Sequence, residues 1–220
     1  MLFRSRRAAG LGRAPEEFDP DHYEKAFGHC DVLVIGAGPA GLAAAISAGR
    51  SGARVILCDE GPLLGGRLLS DNRLINDAPA IDWVRSVEAE LLTLANVTIM
   101  RRSTVFGVYD HGVYGVAESV NDHMAEPPPF QPRQRTWRIT AKRAVLASGS
   151  TERPMLFDNN DHPGVMLGSA IRTYINRYAV APGRRTVIFT SSDDGLTTIR
   201  DLETLGLAIE AVIDSRPGRN

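Results

Sequence analysis

Asp31-Val-Leu-Val-Ile-Gly-Ala-Gly-Pro-Ala-Gly41 is the stretch on which the reading of this chain turns. A short run of apolar residues that stops at glycine suits a strand buried on both faces of a parallel sheet. The pattern Gly36-x-Gly38-x-x-Gly41 follows it directly and opens an alanine-rich segment, 42–50, with the composition of a helix. Residues 54–58 (Arg-Val-Ile-Leu-Cys) read as a second buried strand, which completes a βαβ unit, and Asp59 stands at its end. A bare glycine triplet is weak evidence. A triplet between strand and helix, with an acidic residue about 20 positions further on, is the fingerprint of a dinucleotide-binding unit.

Each residue type has a physical task in that chemistry. Gly36 permits the tight turn, Gly38 lets the backbone approach a pyrophosphate, and Gly41 allows the helix to pack closely. The helix N-terminus supplies unpaired N–H donors and a positive dipole end. Asp59 is placed to accept hydrogen bonds from an adenosine ribose, with Glu60 beside it as a second candidate. Two adjacent carboxylates repel a 2′-phosphate, which favours NAD or FAD over NADP. The bland alternative for both is a solvated turn after a strand. Arg67, in Gly65-Gly66-Arg67, reaches a pyrophosphate or ribose on one reading and is a plain surface arginine on the other. A second small-residue turn, Ala147-Ser148-Gly149, ends a later strand and is expected to return beside the fingerprint.

Working outward, 81–94 carries apolar residues at Ile81, Val84, Val87, Leu91 and Leu94, a helical period, and 97–100 reads as a third strand. Short β-like stretches at 105–109, 113–118 and 136–140 suggest an antiparallel meander within 104–140. Its longest loop contains Pro127-Pro-Pro-Phe-Gln-Pro132, and 119–135 is expected to be mobile, with Arg133 and Arg135 as first sites of proteolysis. Residues 143–147 read as a further buried strand and 165–179 as a helix. A strand at 186–190, a helix at 195–205 and a strand at 209–213 follow. The expected organisation is a linker or arm over 1–28, a dinucleotide-binding domain over 29–153, and a connecting helix with an incomplete second α/β unit over 154–220. The fold class is α/β, a Rossmann-like parallel sheet with a β-meander.

Composition narrows the classes of function. The 220 residues are 43% hydrophobic and 23% charged, an ordinary globular balance. With 25 Lys and Arg against 26 Asp and Glu, the formal charge of -1 gives no field to draw the chain to nucleic acid or an anionic membrane. No apolar run reaches the roughly 20 residues of a membrane span, and the start lacks the apolar core of a secretory signal. Cys30 and Cys58 form no CxxC, which fits a reducing, cytoplasmic setting. His22, His29, His111, His123 and His162 are scattered without metal-ligand spacing, and Ser148 to Ser150 is no nucleophile elbow. Cys58 reads as a small buried residue. No nucleophile, acid/base pair or metal site is legible.

The run from His29 to Leu42, Val55-Ile-Leu-Cys-Asp-Glu-Gly-Pro-Leu-Leu-Gly-Gly-Arg-Leu68, Thr104-Val-Phe-Gly-Val-Tyr-Asp110, Glu152-Arg-Pro154 and Asp161-His-Pro-Gly-Val-Met166 with Tyr174-Ile-Asn-Arg-Tyr178 together resemble the alpha subunit of heterotetrameric sarcosine oxidase. The segment Arg6-Arg-Ala-Ala-Gly-Leu-Gly12 is similar to the linker of that family. The glycine motif is generic, whereas the stretch from Asp161 to Tyr178 is far more specific. The resemblance implies that the chain is a fragment of a subunit several times longer, in which this domain lies between a ferredoxin-like domain and a folate-binding domain.

It also implies NAD in the fingerprint site, with Ala40, Asp59, Glu60, Gly61, Arg67 and Val105 as contact positions. Val105, taken as the residue just after the third strand, would clasp the adenine through its backbone. FAD would sit on the beta subunit, with FMN at the alpha/beta interface, so the other subunits of a hetero-oligomeric oxidase are the expected partners. One departure stands out, Thr190-Ser-Ser-Asp-Asp-Gly195 where a second fingerprint could lie. Asp193 and Asp194 are expected to repel a phosphate there. A self-contained small flavoprotein reductase with FAD in the same pocket is the competing expectation.

Overall fold

The computed structural model of the chain describes residues 18–218. Six strands form one mixed sheet in the order β5-β2-β1-β8-β7-β6. They are β1 (Tyr23–Ile35), β2 (Val55–Cys58), β5 (Val97–Met100), β6 (Ser103–Tyr109), β7 (Val113–Ser119) and β8 (Gln134–Leu146). β3 (Leu74–Ile75) and β4 (Ala78–Pro79) make a small antiparallel hairpin beside it. The β5-β2-β1-β8 half is parallel, as the buried apolar runs require, and β8-β7-β6 is antiparallel.

The two halves are one sheet because β1 and β8 are each 13 residues long. They pair in parallel from Tyr23 opposite Gln134 to Ile35 opposite Leu146. β2 flanks β1 along Val32–Ile35, whereas β7 flanks β8 along its first half, Gln134 to Thr140. Two expectations are corrected here. The end of the supposed arm, from Tyr23, is strand, and the stretches at 136–140 and 143–147 are one continuous strand. Alternation explains both: Ala26, Gly28 and Cys30 turn toward the sheet's covered face while Glu24, Lys25 and Phe27 are exposed, a half-buried pattern rather than a continuous apolar run. The remainder of the arm, 1–17, and the Arg6–Gly12 segment lie outside the described residues.

Helices α1 (Pro39–Arg50) and α2 (Ala80–Thr93) cover one face of the parallel half. Leu42, Ala45 and Ile46 of α1 meet Val84, Val87 and Leu91 of α2 over Val34, Val55 and Leu57. At about 25 cal/mol per Å² this is the main apolar burial of the fold. On the opposite face Leu33, Cys58 and Met100 pack with Val116, Ile139 and Trp137, which fixes the meander against the strand ends.

The 119–135 loop is tied down at its base, whereas its tip at Phe130 is fully exposed. Asn121, 5% exposed, donates from Nδ2 to Gln131 Oε1 and to the Pro132 carbonyl. The Arg133 N–H donates to the His22 carbonyl, and the Arg133 side chain pairs with Asp21. Arg135 lies in β8, paired with Glu24 and Glu118.

Past an extended connection, α3 (Gly168–Arg172) continues into one π-helical turn, Thr173–Arg177, shorter than the 165–179 expected because Pro163-Gly164 keeps its start open. Strand β9 (Arg185–Thr190), helix α4 (Asp194–Thr204) and strand β10 (Ala208–Asp214) form the second unit. β9 and β10 pair in parallel as a two-stranded sheet, and Leu202, Ile175 and Ile188 form its small core. Among the described residues no helix is long and apolar enough to cross a membrane.

Candidate functional site

The fingerprint loop is fastened from three sides. Gly36 N–H donates to the Cys58 carbonyl, Ala147 N–H to the Ile35 carbonyl, and Gly65 N–H to the Ala37 carbonyl, each at 2.8 Å. Gly36 has φ +97°, and a Cβ there would lie 2.4 Å from the Ala147 oxygen. A Cβ on Gly41 would lie 1.8 Å from the Gly36 oxygen, so only glycine lets α1 start this close to β1. By contrast a Cβ on Gly38 would meet nothing within 4 Å, because this edge of the loop faces a cavity.

That cavity is about 810 Å³. Gly36, Gly38, Ala40, Asp59, Glu60, Gly66, Arg67, Val105 and Gly149 all line it. Gly41 and Gly61 do not reach its wall. Gly41 acts through packing, and Gly61 through the N–H it donates to Asp59 Oδ1 at 2.8 Å. No side chain caps α1, so its first N–H groups remain open to an anion, as a pyrophosphate requires. The residues present therefore fit an adenine dinucleotide laid from Asp59 and Glu60 across the helix start.

Three of the expected site roles change. Asp59 is not a free ribose acceptor, since Oδ2 accepts the Ala37 N–H at 2.6 Å while Oδ1 accepts that of Gly61. Its carboxylate braces the fingerprint loop and leaves Glu60 as the less engaged acid on the wall. Val105 does not follow the third strand directly; Arg101 and Arg102 make a turn, and Val105 lies inside β6. It still reaches the cavity because Ser103 N–H donates to the Asp59 carbonyl, tying β6 to the end of β2. Arg67 lines the cavity and is more than half exposed, and its guanidinium has a task beyond the ligand or surface roles expected of it, pairing with Asp194 of the second unit at 2.6 Å.

The acidic turn before α4 is neutralised in the same way. Asp194 also takes a bidentate contact from Arg172, at 2.6 and 3.2 Å, and Arg216 pairs with Asp193 at 2.8 Å. Burial pushes the Asp194 carboxyl up, but the hydrogen bonds from Arg172 and Arg67 outweigh it and hold the carboxyl below its ordinary value. The expected repulsion of a phosphate by bare carboxylates is thus corrected. The Thr190 Oγ1 accepts the Ser192 N–H within this turn and lies where only glycine fits at 195, since an added Cβ would come within 2.4 Å of it.

Residues that carried no motif also line the cavity: Ser103, Thr104, Asp71, Arg73, Ser148 and Ser150. Asp71 and Arg73 bond each other across one intervening residue, a pairing with no spacing signature. Cys58 borders the cavity from the strand end, and burial pushes its thiol up to about 12, so it is an inert apolar wall. Burial raises Cys30 to about 11. Among the described residues no cluster of His, Cys, Asp and Glu could hold a metal ion.

A parallel sheet with helices on one face, a meander on the other, and a glycine-edged cavity at the carboxyl ends of its strands is the FAD/NAD(P)-binding fold of flavoprotein oxidoreductases. The chain belongs to the pyridine nucleotide-disulphide oxidoreductase family, whose model matches residues 30–188.

Its relatives are more particular. It is 54% identical to the alpha subunit of sarcosine oxidase from Rhizobium meliloti (strain 1021) over 212 residues, 96% of this chain and 22% of that one. It is 33% identical to an opine oxidase subunit from Agrobacterium tumefaciens (strain Ach5) over 172 residues, 72% of this chain and 31% of that one. Among solved structures, L-proline dehydrogenase from P. horikoshii superposes with a TM-score of 0.69 at 27% identity, covering 91% of this chain and 38% of that one. The chain thus spans about a fifth of the length of the sarcosine oxidase alpha subunits it matches.

Proposed function

We propose that this chain is the NAD-binding part of a sarcosine oxidase alpha-type subunit, which works with partner subunits in the oxidative demethylation of sarcosine. The observation that carries this reading is the 54% identity extending over 96% of the chain, including the cavity wall. An adenosine ribose meets Glu60, the pyrophosphate meets the N–H groups of Gly38 and Ala40 on the cavity wall, and the distal half runs along Gly66 and Arg67. Adjacent Asp59 and Glu60 disfavour a 2′-phosphate.

No side chain on the cavity wall is poised to take a hydride or a proton from an amine, since the acids are engaged or at the ribose end. In line with the resemblance, this reading puts amine oxidation on a partner subunit, with FMN at the interface of the alpha-type subunit with that partner and a cytoplasmic setting for the assembly. When bound, the dinucleotide supplies either hydride chemistry or a purely structural wedge.

The absorption spectrum of the purified protein, with mass spectrometry of what it releases on denaturation, tests this reading. NAD without flavin absorbance is the expected result. Stoichiometric FAD would instead favour a small flavoprotein oxidoreductase using the same pocket, and NADP would overturn both.

A further inference from the structure

A second cavity of about 260 Å³ lies where the turn Gly66–Ser70 meets the π-helical turn, sharing Gly66, Arg67 and Asp71 with the larger one. We propose that it is an oxyanion site, taking a phosphate or small carboxylate independently of the adenosine diphosphate half of the dinucleotide.

The charge balance of its wall points to an anion. Arg67, Arg172 and Arg177 all line this cavity. Asp194 is shared between Arg67 and Arg172, and Asp71 on the same wall is already held by Arg73. Arg177 has no carboxylate partner among the described residues; its guanidinium stands 5.5 Å from the Tyr178 ring. Three guanidiniums therefore face one carboxylate that no outside cation neutralises. The Arg172 side chain is only 4% exposed, so its charge is poorly screened by water and salt. Guanidinium forks suit planar carboxylates and phosphates. The Thr173 hydroxyl gives its one proton to the Ser169 carbonyl at 2.9 Å, so the Ser70 hydroxyl, 3.2 Å away, donates to Thr173 and the arginines are the donors left to the ligand.

The test is a ³¹P NMR titration of inorganic phosphate into the whole protein at low ionic strength, with ADP absent and then saturating. Saturable phosphate binding that persists with ADP present, and that Arg177→Ala weakens about fivefold or more while the distant surface variant Arg85→Ala leaves it alone, supports the site. Arg172→Met is the second variant, and circular dichroism establishes that each variant is folded. Acetate should displace the phosphate, and failure to do so would remove carboxylates from the ligand class. Phosphate binding that vanishes with ADP, or that Arg177→Ala does not change, would overturn the proposal. Failure of ADP itself to bind would count against the dinucleotide reading and leave the Arg177 comparison intact.

Discussion

Replacing Asp59 by Ala should damage the fold more than the ribose contact. Its two oxygens accept the Ala37 and Gly61 N–H groups at 2.6 and 2.8 Å, so the substitution orphans two backbone donors beneath the fingerprint loop. A hydrogen bond to a charged group contributes about 1.5–3 kcal/mol, and water entering a half-exposed site recovers part of that. The net loss should be about 2–4 kcal/mol, a melting temperature lower by roughly 5–15 °C for a chain of this size. Asp59→Asn, which keeps one acceptor, should lose about half as much. Glu60→Ala makes the contrast, since it should leave melting within about 1 °C and weaken NAD or FAD by about 1–3 kcal/mol. Calorimetric melting and titration of the three variants decide the matter. An Asp59→Ala protein that melts like the parent and loses only affinity would refute the bracing role and restore Asp59 as the ribose acceptor.

Gly41→Ala should cost more than about 3 kcal/mol and yield little folded protein, because its Cβ would overlap the Gly36 carbonyl oxygen; a normal melting curve would contradict this. Glu152 caps the start of α3 through the Gly168 and Ser169 N–H groups. Burial raises its pKa, but those hydrogen bonds prevail and lower it overall, as the arginines do for Asp194. Carboxyls depressed in the folded state give stability above their unfolded pKa that is lost as pH falls through the folded value. The protection factors of amides 168–177, corrected for the intrinsic pH dependence of exchange, should therefore fall below about pH 4 and stay constant between about pH 6 and 8. Trypsin should spare the bonds after Arg133 and Arg135 and cut first near exposed Arg184, and early cleavage at 133 or 135 would show that the Asn121 contacts do not hold the loop. The isolated chain should oxidise no sarcosine, and measurable turnover would contradict the placement of amine chemistry on partner subunits.

The parallel half of the sheet was legible because its strands are buried on both faces and read as uninterrupted apolar runs. Val97–Met100 is found with the bounds its pattern suggested. The first half of β1 was not legible: Lys25, Phe27 and His29 face outward, so the strand exists through its 12 register pairs with β8, contacts that no local window contains. The ties at the base of 119–135 rest likewise on Asn121 and Arg133, whose partners have no periodic signal. At the site, the glycines announced themselves through backbone geometry that no other residue tolerates. The bracing role of Asp59 did not, because sequence spacing places a carboxylate at the strand end without saying which donors surround it. The Arg67–Asp194 pair joins residues 127 positions apart and was equally invisible.

The cavity at the Gly36–Gly41 loop should take an adenine dinucleotide whose ribose carries no 2′-phosphate. Calorimetric titration of the nucleotide-stripped protein with NAD, FAD and NADP tests this most directly. NAD or FAD should bind at one site at least about tenfold tighter than NADP, because the adjacent carboxylates of Glu60 and Asp59 repel a 2′-phosphate. NADP binding as tightly as either, or no saturable binding of any of the three, would contradict it.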